Sequence, residues 1–194
     1  AAEQGLAIAQ YNLGAMYGNG RGTQKNQKME IIWYTRAAEQ GYLDAQFDLG
    51  VIYSEGIDVP QDFEIALRWY KLAAEQNYLF AQYNLGLLYA TGKGVEQNYG
   101  TALEWYARSA ELGHDRSQFN LGLMYANGEG VSQNYTEAIK WYGLAADQGL
   151  PDAQHNLGLL YFEGKGVPKN IDTARKWMTL SANQGFVESS AILE

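Results

Sequence analysis

The residues best suited to chemistry in this chain are few and scattered. Its two histidines, His114 and His155, have no partner cysteine or second histidine at a ligand spacing, and the chain has no Cys. Neither a thiolate site nor a paired-imidazole site is drawn, and no metal or cofactor is expected. A serine nucleophile of the S-x-x-K type needs a lysine one helical turn on to take its proton. Ser54, Ser109, Ser117, Ser132 and Ser181 are followed at that place by Ile57, Leu112, Asn120, Tyr135 and Gln184, so none of them fits. G-x-S-x-G, H-E-x-x-H and G-x-x-x-x-G-K-[ST] are also missing. Gly20-Arg21-Gly22 and Gly92-Lys93-Gly94 resemble phosphate loops, but such pairs recur through the chain after helical segments rather than after strands, so they are turns. Asn134-Tyr135-Thr136 matches a glycosylation sequon, yet Asn134 stands where a helix needs its cap. Carboxylates are numerous without converging on one place. The chain is therefore not expected to be an enzyme.

Composition narrows the partners. The formal net charge is −8 and no basic cluster is present, which argues against the phosphate contacts that nucleic-acid binding requires. No apolar run reaches the length of a membrane span. Abundant Gly (22) against scarce Pro (3), in a chain rich in Ala, Leu, Glu and Gln, predicts many short helices separated by glycine stops.

Positioning follows from an internal repeat. The five tryptophans, Trp33, Trp69, Trp105, Trp141 and Trp177, are evenly spaced, one repeat apart, and so are Tyr17, Tyr53, Tyr89, Tyr125 and Tyr161. The Leu-Gly pairs at Leu13, Leu49, Leu85, Leu121 and Leu157 keep the same step. Five units at 1–36, 37–72, 73–108, 109–144 and 145–180 and a partial sixth at 181–194 make up one domain. The register at both ends predicts a piece of a longer array.

Each unit reads as two helices. In the second unit, Ala45, Leu49, Ile52 and Tyr53 share one helical face from about Leu43 to Ser54. Gly56 stops that helix in the left-handed conformation, and Asp62 caps the next one; Asn26, Asn98, Asn134 and Asn170 hold the same place elsewhere. Phe63, Ala66, Trp69, Tyr70, Ala73 and Ala74 give the second helix a broad apolar face. Gly14, Gly50, Gly86, Gly122 and Gly158 sit mid-helix, where glycine costs about 1 kcal/mol. Each is expected to admit a neighbouring helix or an aromatic ring at close range, with rings of the Tyr17 and Trp33 series filling the space beside it. A single unit cannot bury its own apolar face, so the units must stack.

The pattern A-x-x-x-L-G-x-x-Y-x-x-G-x-G-V, A-x-x-W-Y and A-A-E-x-G resembles the Sel-one-like repeat (SLR) family. Ala81, Leu85, Gly86, Tyr89, Gly92, Gly94, Val95, Ala102, Trp105 and Tyr106 carry it, closed by Ser109-Ala110-Glu111-Leu112-Gly113. The chain departs from it at Thr23, Glu30, Asp58 and Asn77. The resemblance covers the whole chain. It implies an all-α, right-handed α-solenoid superhelix related to the tetratricopeptide stacks, acting as an adaptor in complex assembly, and the regular period points to a bacterial member. Some cysteine-rich relatives are linked to β-lactam binding; they carry a disulfide in each repeat, which this chain lacks.

In tetratricopeptide-like stacks the first helix of each unit lines a concave groove. By that analogy the groove presents Asn12, Asp48, Asn84, Asn120 and Asn156 one residue before Leu, and Tyr11, Phe47, Tyr83, Phe119 and His155 two before. Ile8, Asp44, Phe80, Arg116 and Asp152 lie five before; Ala15, Val51, Leu87, Leu123 and Leu159 lie two after. An amide both donates and accepts, so this row suits the backbone of an extended peptide, with the rings forming side-chain pockets. The same asparagines could instead bond the neighbouring repeat. Asp44, Asp48, Glu55, Asp152 and Glu163 favour a basic or neutral polar partner. The expected partner is another protein or an extended peptide. The alternative, a carbohydrate-binding solenoid, would use Tyr83 and Phe119 as sugar platforms, and a hydrolase of the β-lactamase-like SLR type ranks below that.

Overall fold

The asparagine and aspartate caps do what their spacing predicts. In the computed structural model, which describes residues 1–186 and Ser189, Asn26 Oδ1 accepts from the Met29 amide at 3.1 Å, Asp62 from Ile65 at 2.9 Å, Asn98 from Thr101 at 2.9 Å and Asn170 from Thr173 at 2.9 Å. Asn134 accepts from Thr136 and Glu137, so the sequon asparagine is a cap. Opposite each cap, the preceding helix ends at a glycine with φ between 66° and 75°, at Gly20, Gly56, Gly92, Gly128 and Gly164, where only the loss of a Cβ makes that backbone inexpensive.

The result, among the described residues, is a series of α-helices in head-to-tail hairpins: α1 (Ala7–Asn19), α2 (Gln27–Glu39), α3 (Leu43–Glu55), α4 (Phe63–Glu75), α5 (Leu79–Thr91), α6 (Tyr99–Glu111), α7 (Asp115–Asn127), α8 (Tyr135–Asp147), α9 (Pro151–Glu163) and α10 (Ile171–Asn183). The helices gather into two compact units, Ala1–Gln97 and Asn98–Glu194. In the first, α1 packs on α2, α2 on α3, α3 on α4 and α4 on α5; in the second, α6 through α10 pack in the same sequential way. Within each unit every helix touches the next in sequence, the arrangement of a solenoid.

One core cluster of the first unit is Tyr34, Ala37, Ala38, Ala45, Leu49 and Ile52. That of the second is Ala138, Tyr142, Ala145, Ala146, Ala153, Leu157 and Leu160. Alanines dominate because the helices approach closely, and the mid-helix glycines go further. A Cβ on Gly14 would lie 2.6 Å from Tyr34 Cδ1, and one on Gly122 2.6 Å from Tyr142 Cδ1. The sequence reading gave this space to the Tyr17 and Trp33 series. It belongs instead to the residue after each tryptophan: Tyr34, Tyr70 and Tyr142, with Met178 beside Gly158. On α4 the buried residues are Ala66, Tyr70, Ala73 and Ala74, a row at i, i+4, i+7 and i+8. Trp69 lies one position, about 100° of helix rotation, to the side. Trp33 is buried, while Trp69, Trp105, Trp141 and Trp177 are half-buried; Arg36 lies 4.5 Å from the Trp33 ring centre and Lys140 4.8 Å from that of Trp141.

A buried amide ladder runs beside this core. Gln46 donates to the Ala38 carbonyl at 3.0 Å and accepts from Gln76 at 2.8 Å. Gln118, Gln148, Gln154 and Gln184 repeat the motif in the second unit. Gln82 donates to the Ala74 carbonyl at 3.2 Å, while its own carbonyl oxygen is buried without a partner. Two loop positions keep a left-handed backbone without glycine, Asp58 at φ 55° and Asn77 at φ 64°, residue types that tolerate it.

Glu30 stands where the later repeats place the small Ala66, Ala102, Ala138 and Ala174. Its carboxylate fills the space a Cβ on Gly18 would take and hydrogen-bonds Tyr34. Burial raises its pKa, the Tyr34 bond opposes this, Asp48 raises it further, Lys25 lowers it and Asp58 raises it. A folded pKa above the unfolded one means this residue favours the fold below the ordinary carboxylate range. That contribution is lost as pH climbs through the raised folded value. Glu30→Gln is therefore expected to raise the unfolding midpoint at pH 7 and to leave it unchanged near pH 3. Thermal melts at the two pH values check this, and a gain of equal size at both would contradict it.

Candidate functional site

Two of the tyrosines that follow a tryptophan, Tyr70 and Tyr142, reach past their own hairpins to the first helix of the next repeat, and there each meets the residue that precedes Leu-Gly. Asn84 hydrogen-bonds the Tyr70 hydroxyl, and Asn156 hydrogen-bonds that of Tyr142. These pairs form part of the lining of two pockets in the same register, one in each unit. The first, of about 300 Å³, lies among Val51, Ser54, Tyr70, Asn84, Leu87 and Leu88, with Glu55 and Lys93 also in its lining. The second, of about 210 Å³, lies among Ala126, Tyr142, Asn156, Leu159 and Leu160, with Asn127, Glu163 and Lys165. The residues one before and two after Leu, which the sequence places in separate rows, thus meet in one pocket in each unit.

Tyr70 is 2 % and Tyr142 2 % exposed. Burial pushes the pKa of each to about 12, so both hydroxyls stay protonated over the physiological range. Ser54 Oγ lies 2.9 Å from the Tyr70 hydroxyl; Ala126 takes its place in the second unit. Lys93 Nζ sits 5.3 Å from the centre of the Phe63 ring. Lys165 is paired with Glu163 at 2.7 Å and sits 5.7 Å from Tyr135.

The other sequence-selected residues divide. Asn12 is exposed and Asn120 half-buried. Asp48 is half-buried and accepts from the Tyr11 hydroxyl at 2.9 Å; burial raises its pKa, the Tyr11 bond opposes this, and Asp44 raises it. Tyr11, Phe47, Tyr83 and Phe119 are half-buried. Tyr11 stacks on Tyr34 at 5.1 Å, Phe47 meets Tyr78 edge-on at 5.1 Å, and Phe119 lies 5.7 Å from Tyr142. Phe80 is 46 % exposed and lies 5.6 Å from Tyr78. Arg116 is exposed. His155 is only 8 % exposed: its Nδ1 lies 2.7 Å from Ser189 Oγ and its ring 5.0 Å from Phe186.

Tertiary packing also creates histidine–serine pairs that the sequence motifs do not describe. His114 Nδ1 lies 2.9 Å from Ser117 Oγ, which donates to Ser109 Oγ at 2.8 Å. Burial lowers the His114 pKa, while Asp115 raises it. Ser109, Ser117 and Ser189 are each 0 % exposed, so no substrate reaches them, and His114 caps α7 by accepting from the Ser117 amide. Among the described residues no group of three or more His, Cys, Asp or Glu side chains could hold a metal ion, and no helix is long and apolar enough to cross a membrane.

What the pairing of Tyr70 with Asn84 and Tyr142 with Asn156 needed from the sequence was visible: both residue types recur at the repeat period. The pairing itself was not, because the partners belong to different hairpins. Sequential helical hairpins with a pocket between neighbouring repeats define a helical-repeat solenoid protein. The Sel1 repeat model matches residues 7–42, 43–78, 79–114, 115–150 and 151–186, so the chain belongs to the Sel1 repeat family, a family of protein-interaction scaffolds. The matched segments begin at the first residues of α1, α3, α5, α7 and α9, so one match is one hairpin.

Solved structures agree. The protective antigen c5321 of uropathogenic Escherichia coli, with an SLR fold, is 39 % identical with a TM-score of 0.94 over 99 % of this chain. The chain spans 41 % of that antigen's length. A Sel1 repeat protein from Oxalobacter formigenes is 38 % identical with a TM-score of 0.88, covering 93 % of this chain and 74 % of its own. Cysteine-rich protein B of Helicobacter pylori is 26 % identical with a TM-score of 0.53, covering 66 % of this chain and 92 % of its own. No curated protein matches the chain.

Proposed function

We propose that this chain is a non-catalytic adaptor that holds an extended peptide or protein segment along the row of residues preceding Leu-Gly, with partner side chains entering the pockets beside it. The observation that carries this reading is the recurrence of one pocket, with one Tyr–Asn pair, at the same register in both units. An asparagine amide has two donors and two acceptor lone pairs. One bond to a tyrosine hydroxyl orients Asn84 or Asn156 and leaves capacity for a peptide backbone. The half-buried rings of Phe47 and Phe119 add apolar surface, where binding energy concentrates.

The test uses the chain and two variants, Asn84→Ala and Asn156→Ala, as baits against lysate of the native host, with melting temperatures measured in parallel. Each substitution is expected to reduce retention of a specific partner about five-fold or more, the equivalent of one or two hydrogen bonds at about 1 kcal/mol each. Retention unchanged by both variants would place binding elsewhere and sink the reading. Loss of retention matched by a fall in melting temperature would show that the asparagines act through the fold alone.

A further inference from the structure

The two pockets share a register but not a charge. In the first unit Glu55 lines the pocket, and the second unit has Asn127 at the equivalent place. Glu55 forms no ion pair among the described residues. In the second unit the lining carboxylate, Glu163, is already neutralised by Lys165 at 2.7 Å. Thr91 stands at the Glu163 position in the first unit, so Lys93 has no such partner there and rests instead over the Phe63 ring.

From this arrangement we infer that the pocket of the first unit is a subsite for a long basic side chain, arginine above all, of the segment the chain holds. The inference rests on the adaptor reading and adds the chemistry of the partner. Val51, Leu87 and Leu88 supply apolar walls for the methylene stem, which lies against such surface when only the head is charged. The head meets Glu55, together with the acceptor oxygens of Ser54, Tyr70 and the Asn84 amide. A planar guanidinium with five donors matches several acceptors at once, which an ammonium does less well. Asp48 adds negative charge close enough to raise the Tyr70 pKa, behind the larger effects of burial, Ser54, Glu55 and Asn84. A volume of about 300 Å³ is at the small end for ligand sites and suits one side chain rather than a cofactor. The net charge of −8 draws cationic segments toward the chain.

The test is methyl-resolved NMR titration of the chain with three probes: Nα-acetyl-arginine methylamide, its neutral isostere Nα-acetyl-citrulline methylamide, and Nα-acetyl-glutamate methylamide. The arginine probe is expected to shift the Val51, Leu87 and Leu88 methyls with an affinity about five-fold above the citrulline probe, the size of one partly exposed charged hydrogen bond. The glutamate probe is expected to bind more weakly still. Glu55→Gln should bring arginine down to the citrulline value with no change in melting temperature, and Lys93→Ala should tighten arginine. The Leu159 and Leu160 methyls of the second unit serve as an internal control and should not distinguish arginine from citrulline. Equal binding of arginine and citrulline, stronger binding of glutamate, or a Glu55→Gln variant that binds arginine as well as the parent would each overturn the inference. No methyl shift with any probe would overturn it too. In each case the adaptor reading is judged separately, by whether Asn84→Ala still loses its partner in the capture experiment.

Discussion

Tyr142→Ala is expected to destabilise the second unit by about 3–5 kcal/mol, the range for truncating a large buried aromatic side chain. The ring is 2 % exposed and occupies the space opposite Gly122, where even one added carbon would come within 2.6 Å of it. Glycine cannot refill what the ring leaves, and the neighbouring alanines are too short to collapse into it. Tyr142→Phe keeps the packing and gives up the bond to Asn156, at about 1 kcal/mol. Urea denaturation, read alongside amide exchange on α7, α8 and α9, separates the two. If Tyr142→Phe costs as much as Tyr142→Ala, the hydroxyl rather than the ring organises this interface, and the packing argument fails.

Gly130→Ala should cost about 2–5 kcal/mol, and Gly149→Ala much less. Both glycines have positive φ, 70° and 94°, so a Cβ at either costs about 1–2 kcal/mol in backbone strain. Their surroundings differ. A Cβ on Gly130 would lie 2.5 Å from the carbonyl carbon of Tyr99 and 2.8 Å from the Gly100 nitrogen, whereas one on Gly149 meets nothing within 4 Å. Backbone cannot swing aside as a flexible side chain can, so Gly130 adds an overpacking cost of about 1–3 kcal/mol. The loop after α7 therefore rests against the first turn of α6, and the second glycine of the later G-x-G pairs, Gly94, Gly130 and Gly166, is a packing device rather than a phosphate cradle. Equal losses at the two positions would show that strain alone governs them.

Much of this architecture could be read directly. The period is unambiguous because tryptophan and tyrosine are rare enough to mark it, and the caps follow because Asn and Asp can satisfy orphaned amides where Ala or Leu cannot. The end of α3 lies at Glu55, within a residue of the expected Ser54. Two features are present in the sequence without declaring their role. The residue after the tryptophan, Tyr34, Tyr70, Tyr142 or Met178, fills the glycine notch, because the buried row on such a helix runs, as on α4, through Ala66, Tyr70, Ala73 and Ala74. Gln10, Gln46, Gln82, Gln118 and Gln154 also keep the period. A long polar side chain reads as solvent-facing until the carbonyl it bonds is known, and Gln82 is 0 % exposed.

The candidate site was legible only in part. The row preceding Leu-Gly was picked by analogy with related stacks, and Asn84 and Asn156 do line pockets. His155 belongs to the aromatic row by register, yet it is buried against Ser189 and Phe186, where an imidazole can both stack and hydrogen-bond.

The sequence by itself determined which residues are equivalent, where each helix begins and ends, and the absence of known catalytic motifs. These are local properties, set by capping, glycine conformations and the helical period over a few residues. Only the tertiary structure decided which equivalent residues meet: Tyr70 with Asn84, Glu30 with the Gly18 notch, Glu55 in the wall of one pocket where Asn127 lines the other. Those contacts join residues up to about one repeat apart in the chain. They depend on how closely two helices approach, which no single helix specifies.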